Sequence, residues 1–193
     1  MDKPILATNI DGLLLNHKVF SEPHRYWFER AIKKTKDNSL KRWMDREDYF
    51  IGVNEAMQKI MPHDSQEKRT YQARKWYQQD VIKYIKNHPE EIKKDIAEKL
   101  ISLREKYKII LITTNTEKYI NKILKKAKLN RIYEGIIASK TEKEPSKEEL
   151  VDELINRYGK PEYYLTGKPE EKITKKLEEM KVKVLGIDKI SRL

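Results

Sequence analysis

Apolar residues are spaced in two different ways along the chain, and the change comes near residue 90. Between residues 16 and 90 they recur every three or four positions, as in amphipathic helices, without a strand-like run. After residue 90, continuous apolar runs of strand length alternate with helical stripes, and a similar run opens the chain. The pattern predicts a helical segment inserted into a protein of alternating strands and helices.

The inserted segment is predicted to contain three helices joined by short breaks. Ser21 can cap the first helix, with Pro23 in its first turn, where a proline is tolerated. The second helix is expected from about residue 45 to the residues before Pro62, because a residue preceding proline disfavours helical angles. Asp64 or Ser65 can cap the third helix, which runs to about residue 86. The inner positions expected for the second helix are Phe50, Val53, Met57 and Ile60.

Outside this segment, the order of elements predicts an α/β protein. Apolar strands end near residues 9, 113, 138, 166 and 187, with helical stripes between them. The first of these stripes is expected to consist of Ile92, Ile96, Leu100 and Leu103. Such an order gives a Rossmann-like fold, with a mostly parallel sheet and helices on both faces. Residues 1–15 and 91–193 are predicted to form the α/β core, and residues 16–90 an inserted helical cap.

The amino-acid composition restricts the possible chemistry of the protein more than it restricts the possible folds. The 193 residues include 42 Lys and Arg against 31 Asp and Glu, a net charge of +11, which favours anionic partners in general. No cysteine is present, which excludes disulfides, thiolate nucleophiles and Cys-ligated zinc. Many Glu and Lys with no Cys are typical of thermophile proteins. No apolar stretch approaches the roughly 20 residues that span a bilayer, and no signal peptide is recognised, so a cytoplasmic protein without a membrane partner is expected.

Polar residues at the ends of three predicted strands carry the candidate chemistry. The first strand ends in Asn9-Ile10-Asp11-Gly12, the second in Thr113-Thr114-Asn115, and the fourth is followed by Gly167. This arrangement resembles the haloacid dehalogenase (HAD) superfamily, mostly phosphatases, whose first motif is Asp-x-Asp-Gly-Thr-Leu. The resemblance covers nearly the whole chain and includes a helical cap inserted after the first strand.

The resemblance implies catalytic positions that this sequence fills only in part. In the family, the first Asp attacks phosphorus and binds Mg²⁺, and the second Asp is the acid/base. Asn9 stands at the nucleophile position, whereas Asp11 keeps the acid/base position. An amide has no anionic oxygen for the attack and is a poor Mg²⁺ ligand.

At the family's phosphate-binding positions, this sequence matches the expected residue types better than at the catalytic positions. By the same resemblance, Thr114 would be the phosphate-binding hydroxyl, with Asn115 beside it. The helix after this strand would direct backbone N–H groups at an anion. Lys143 and Lys147 are both candidates for the family's third motif, a lysine that neutralises the phosphoryl group.

The fourth motif departs most from the family. There, a Gly-Asp pair and an acid four residues further on hold Mg²⁺, but here Lys168 and Lys172 occupy the two acidic positions. Glu170 and Glu171 lie nearby at the wrong spacing. Two ammonium groups would repel the cation, so neither a metal site nor a cofactor is expected, with Mg²⁺ implied only if the chain is an active hydrolase. Lys168 would instead add positive charge for a phosphate.

Three functions remain as hypotheses at this stage. The first is a degenerate, non-catalytic HAD-like protein that binds a phosphorylated small molecule or a partner. The second is an active phosphohydrolase with rearranged groups, in which Asp11 is the nucleophile and Lys168 stands in for the metal. The third is a nucleic-acid or protein interaction module that uses basic residues such as Lys125 and Lys126.

Overall fold

The structure, a computed structural model, describes residues 3–46, 48–140, 147–168 and 171–193. Its chain forms two compact units. The sheet unit contains Met1–His17 and His88–Leu193, and the helical unit contains Lys18–Asn87.

The sheet unit is built on five parallel strands in the order β3-β2-β1-β4-β5. The strands are β1 (Ile5–Thr8), β2 (Lys108–Thr116), β3 (Gly135–Ser139), β4 (Tyr163–Thr166) and β5 (Lys183–Gly186). β1 pairs with β2 from Ile5 opposite Lys108 to Thr8 opposite Leu111, and on its other side it pairs with β4. The chain therefore builds outward on one side of β1 and then crosses to the other, which makes β1 the point where the strand order reverses.

Helices cover both faces of this sheet. Their bounds are α4 (Lys94–Leu103), α5 (Glu117–Lys126), α6 (Lys147–Tyr158) and α7 (Glu171–Glu179). On one face, Ala7, Ile110 and Ile112 share a buried cluster with residues of α6 and α7. The alternate residues Leu6 and Ile109 are fully buried and point to the opposite face, since side chains alternate along a strand. These findings confirm the predicted α/β fold with its parallel sheet.

The helical unit consists of α1 (Lys18–Thr35), α2 (Tyr49–Ile60) and α3 (Gln66–Asn87), with a 3₁₀ turn at Asn38–Trp43. Its core is aromatic and aliphatic, and the Trp27 indole N–H donates to the Ala73 carbonyl at 3.1 Å. The buried members of this core are Trp27, Phe28, Ala31, Leu40, Trp43, Ala56, Met57 and Ala73. The predicted cap at Ser65 is confirmed, because its hydroxyl accepts the Lys68 N–H at 3.3 Å.

The predicted start of α1 was wrong by four residues. The helix begins at Lys18, so Ser21 is not its cap and Pro23 lies inside it. Val19 is fully buried four positions before Pro23 and eight before Trp27, and it continues the same apolar stripe. Burial of Val19 contributes to offsetting the loss of the backbone donor that Pro23 removes.

Two other expectations about packing were wrong. Phe50 was expected on the inner face of α2 but is 44% exposed. Gly52 lies there instead, so close to Trp43 that an added Cβ would clash with the indole. Ile92 was expected in the stripe of α4, but it precedes that helix and forms an isolated antiparallel bridge with Leu15.

Within the described residues, no helix is both long and apolar enough to cross a membrane.

Candidate functional site

The buried polar residues mark one edge of the sheet. Each lies within the last four residues of a strand or directly after it, toward the carboxyl edge where ligands bind in open parallel sheets. Within the described residues they are Thr8, Asn9, Thr113, Ser139 and Thr166. They belong to β1, β2, β3 and β4 or follow directly after them, so four neighbouring strands contribute to one polar edge.

Asn9, directly after β1, uses both ends of its side-chain amide to hold the segment after β4. Its Oδ1 accepts the Gly167 N–H at 3.2 Å, and its Nδ2 donates to the Lys168 carbonyl at 3.4 Å. Thr166 Oγ1 donates to the same carbonyl at 2.8 Å. Asn9 is only 5% exposed. Its amide is therefore a link between two strand ends.

Glycines allow the two segments to approach this closely. A Cβ added to Gly167 would clash with the backbone of Gly12 and Leu13. Gly12 has φ of +71°, a conformation that glycine adopts without strain, and a Cβ there would lie 2.9 Å from the Gly167 carbonyl carbon. Lys93 Nζ donates to the Gly12 carbonyl at 2.6 Å and further fixes the turn after β1.

Asp11 faces a histidine that the sequence analysis did not connect with it. His17 Nδ1 lies 3.1 and 3.0 Å from the two carboxylate oxygens of Asp11. The side chain of Asp11 is 32% exposed and that of His17 is 52% exposed, so water screens the pair. The carboxylate at the acid/base position is thus paired with an imidazole on the same turn.

The end of β2 places a hydroxyl and an amide side by side, but not the hydroxyl that was predicted. Thr113 Oγ1 accepts both the Asn115 backbone N–H at 3.2 Å and Asn115 Nδ2 at 3.1 Å. Thr114 lies between them and is half-buried, in a stretch where the register with β3 shifts. α5 begins two residues after Asn115 with Glu117, whose carboxylate competes with any anion at that helix start.

The predicted basic residues are described unevenly. Lys168 follows β4 and Lys172 is the second residue of α7, and both are exposed. Lys147 is the first residue of α6, but its side chain and all of Lys143 lie outside the described residues, as does Glu170.

A family model described as haloacid dehalogenase-like hydrolase matches residues 9–163. The chain belongs to this family. The match starts at Asn9 and runs through the helical unit and β2 to the first residue of β4. Among curated proteins, none matches the chain.

Solved structures of HAD proteins share the fold at low identity. A haloacid dehalogenase-like hydrolase from Streptococcus pneumoniae is 16% identical with a TM-score of 0.58, covering 95% of this chain and 84% of its own. A subfamily IA HAD hydrolase from Geobacter sulfurreducens is 14% identical with a TM-score of 0.58, covering 95% and 86%. CbbY from Rhodobacter sphaeroides, solved with phosphate, is 12% identical with a TM-score of 0.53, covering 84% and 77%.

The Mg²⁺ ion that the HAD family implies does not fit the residues at this edge. Mg²⁺ requires oxygen ligands in near-octahedral geometry, usually including carboxylates. The Asn9 oxygen already accepts a backbone N–H, Asp11 is paired with His17, and Lys168 contributes an ammonium group. Within the described ranges, no three His, Asp or Glu side chains form a group that could hold a metal ion.

Several polar residues near this edge of the sheet were missed by sequence reasoning. Thr166 and Thr113 are hydroxyl residues at the ends of apolar strands, and that position was the available signal. His17 gave none beyond lying six residues after Asp11. Thr8, also missed, donates to the phenol oxygen of Tyr133 at 3.4 Å. Burial raises the pKa of that phenol further above neutral, from an ordinary value of about 10.

Proposed function

We propose that this HAD-family chain binds a phosphorylated small molecule at the carboxyl edge of its sheet and does not hydrolyse it. One observation carries the proposal. Asn9 stands where the family has its nucleophilic carboxylate, and both polar atoms of its amide are hydrogen-bonded to Gly167 and Lys168.

The missing groups are those that phosphate-ester hydrolysis needs most. Uncatalysed hydrolysis of these esters is so slow that enzymes accelerate it by up to about 10²¹-fold. An amide held in two hydrogen bonds supplies no electron pair for attack on phosphorus. Ammonium groups at Lys168 and Lys172 do not replace a metal that orients both the attacking and leaving groups.

Anion binding needs much less, and this edge retains the means for it. Lys168, which is exposed, lies in the segment directly after β4 at this edge, and Thr114 and Asn115 are among the last three residues of β2. Ammonium, hydroxyl and amide donors together suit a phosphate group. The phosphate bound to CbbY shows that a protein of this fold accommodates that ion.

The direct test is phosphate release from a panel of phosphomonoesters in the presence of Mg²⁺. The expected result is no release above that of a matched Asp11→Ala preparation, since Asp11 is the one family carboxylate kept at this edge. Release by the unmodified chain that Asp11→Ala abolishes would contradict the proposal.

Asp11 and His17 favour the second candidate, an active hydrolase with rearranged groups. A carboxylate paired with an imidazole at a strand end could serve as a nucleophile or as a base. Trapping a covalent phosphoryl adduct on Asp11 would establish this alternative. An Asp11 that remains unmodified after prolonged exposure to phosphomonoesters would exclude the version with an Asp11 nucleophile.

A further inference from the structure

The Lys168 carbonyl is held unusually well for a residue whose side chain is exposed. It accepts hydrogen bonds from two buried side chains, Thr166 Oγ1 at 2.8 Å and Asn9 Nδ2 at 3.4 Å. The preceding residue is fixed as well, because the Gly167 N–H donates to Asn9 Oδ1 at 3.2 Å. Asn9 therefore fixes both an N–H and a carbonyl of the short segment that carries the Lys168 ammonium group.

The backbone around these bonds is closely packed. Gly167 lies against Gly12 and Leu13 so closely that a Cβ would clash with their main chain. Asn9 also donates its own N–H to the Leu165 carbonyl at 3.4 Å, which extends the pairing of β1 with β4. The segment after β4 is thus attached to the end of β1 on the side where the strand order reverses.

We infer that Asn9 and Thr166 are positioning residues for Lys168, which binds the phosphate. The former nucleophile position would then have a new role, in which it sets the place of an anion-binding lysine. This inference rests on the proposed function and adds to it which groups build the anion site. It also explains why an amide, which both donates and accepts, stands at position 9 and a carboxylate does not.

A double-mutant cycle on phosphate binding tests the inference. Inorganic phosphate would be titrated into the full chain and into Asn9→Ala, Thr166→Val and Lys168→Ala, singly and with each positioning change combined with Lys168→Ala. Asn16→Ala is the matched control, because it removes another side-chain amide of the sheet unit, one that donates to the Glu91 carboxylate at 2.8 Å and does not involve Lys168.

We expect Lys168→Ala to weaken phosphate affinity about tenfold, and Asn9→Ala and Thr166→Val about fivefold each. Once Lys168 has been replaced, Asn9→Ala and Thr166→Val should weaken it no further, because they act only through that side chain. Asn16→Ala should leave the affinity unchanged. A purely structural role for Asn9 would lower stability and leave this coupling near zero.

The outcomes separate the inference from the proposed function. If the unmodified chain binds no phosphate, both are overturned. If it binds phosphate and Lys168→Ala weakens binding, but the Asn9 and Thr166 changes act equally with and without Lys168, only the inference fails. An Asn9→Ala affinity equal to that of the unmodified chain would also overturn the inference.

Discussion

Replacing Asn9 by Asp restores the residue type of the family's nucleophile, and we expect it to destabilise this chain. The carboxylate could still accept the Gly167 N–H, but it could not donate to the Lys168 carbonyl. Two acceptor oxygens would then face each other at the former 3.4 Å contact, in a place where position 9 is 5% exposed. The change exchanges an attractive contact for a repulsive one and buries a charge.

The size of the effect follows from those losses. Leaving a buried polar group without its partner costs about 1–3 kcal/mol, and a charged group lies toward the upper end. Lys168 keeps its bond from Thr166, which limits the loss to the Asn9 contact. We expect Asn9→Asp to lower the free energy of unfolding by about 2 kcal/mol, which for a chain of this length is a fall in Tm of about 4–8 °C. The penalty should shrink in acid, where a protonated carboxyl group can donate again.

Asn115→Asp is the matched control, because it makes the same chemical change at the end of the neighbouring strand. Asn115 Nδ2 donates to Thr113 Oγ1, a hydroxyl that can rotate and donate to a carboxylate. This variant should therefore melt within about 2 °C of the unmodified chain.

The assay must report on the sheet unit. All three tryptophans, Trp27, Trp43 and Trp76, lie in the helical unit, so their fluorescence follows that unit. Amide hydrogen exchange of β1 and β2, together with thermal melting followed by circular dichroism, reports on the sheet. Equal stability of Asn9→Asp and Asn115→Asp would refute the reasoning, as would a Tm for Asn9→Asp at or above that of the unmodified chain.

Two further predictions concern backbone contact and pH. Gly167→Ala should cost about 2–3 kcal/mol, because its methyl group clashes with the backbone of Gly12. Gly159→Ala, where a Cβ would make only an ordinary contact with Ile5 at 3.8 Å, should cost about 1–2 kcal/mol from its φ of +94° alone. Thermal melting compares the two variants, and equal losses of stability would contradict the close approach at Gly167. The second prediction concerns His24, whose pKa is lowered below 6.5 by burial. The unfolded chain therefore binds more protons at this residue than the folded chain does, so the helical unit should lose stability as the pH falls below about 6.5. Urea unfolding followed by tryptophan fluorescence would measure the stability of the helical unit at pH 7.5 and 5. The loss of stability between these pH values should be smaller in His24→Gln than in the unmodified chain, and an equal loss would show that other groups cause it.

Most of the fold could be predicted from the sequence because its three central strands, β1, β2 and β4, consist mainly of consecutive buried residues. The predicted strand ends near residues 138 and 166 agree with the ends of β3 and β4 to within one residue. Errors arose where a distant contact overrode the local pattern. Ile92 lies outside the helix predicted for it and pairs with Leu15, and the inner face of α2 contains Gly52, whereas Phe50 is exposed.

The candidate site was predictable in its positions but not in its contacts. Position 9 could be recognised from the motif around it, yet its hydrogen bond to Gly167 joins residues 158 positions apart. Sequence spacing holds no information on such a contact. The pairing of Asp11 with His17 depends on a tight turn that Gly12 shapes and a hydrogen bond from Lys93 stabilises. Nothing in the sequence indicates that Gly12 and Lys93 are in contact.

The central claim is that this edge binds phosphate without a metal and without chemistry. The most direct measurement is a titration of the unmodified chain with inorganic phosphate, followed by calorimetry or by chemical shifts of the β1, β2 and β4 amides, with and without Mg²⁺. The account predicts saturable binding of equal affinity in both conditions, with shifts centred on Asn9, Asn115 and Lys168. Binding that requires Mg²⁺, or no binding in either condition, would contradict it.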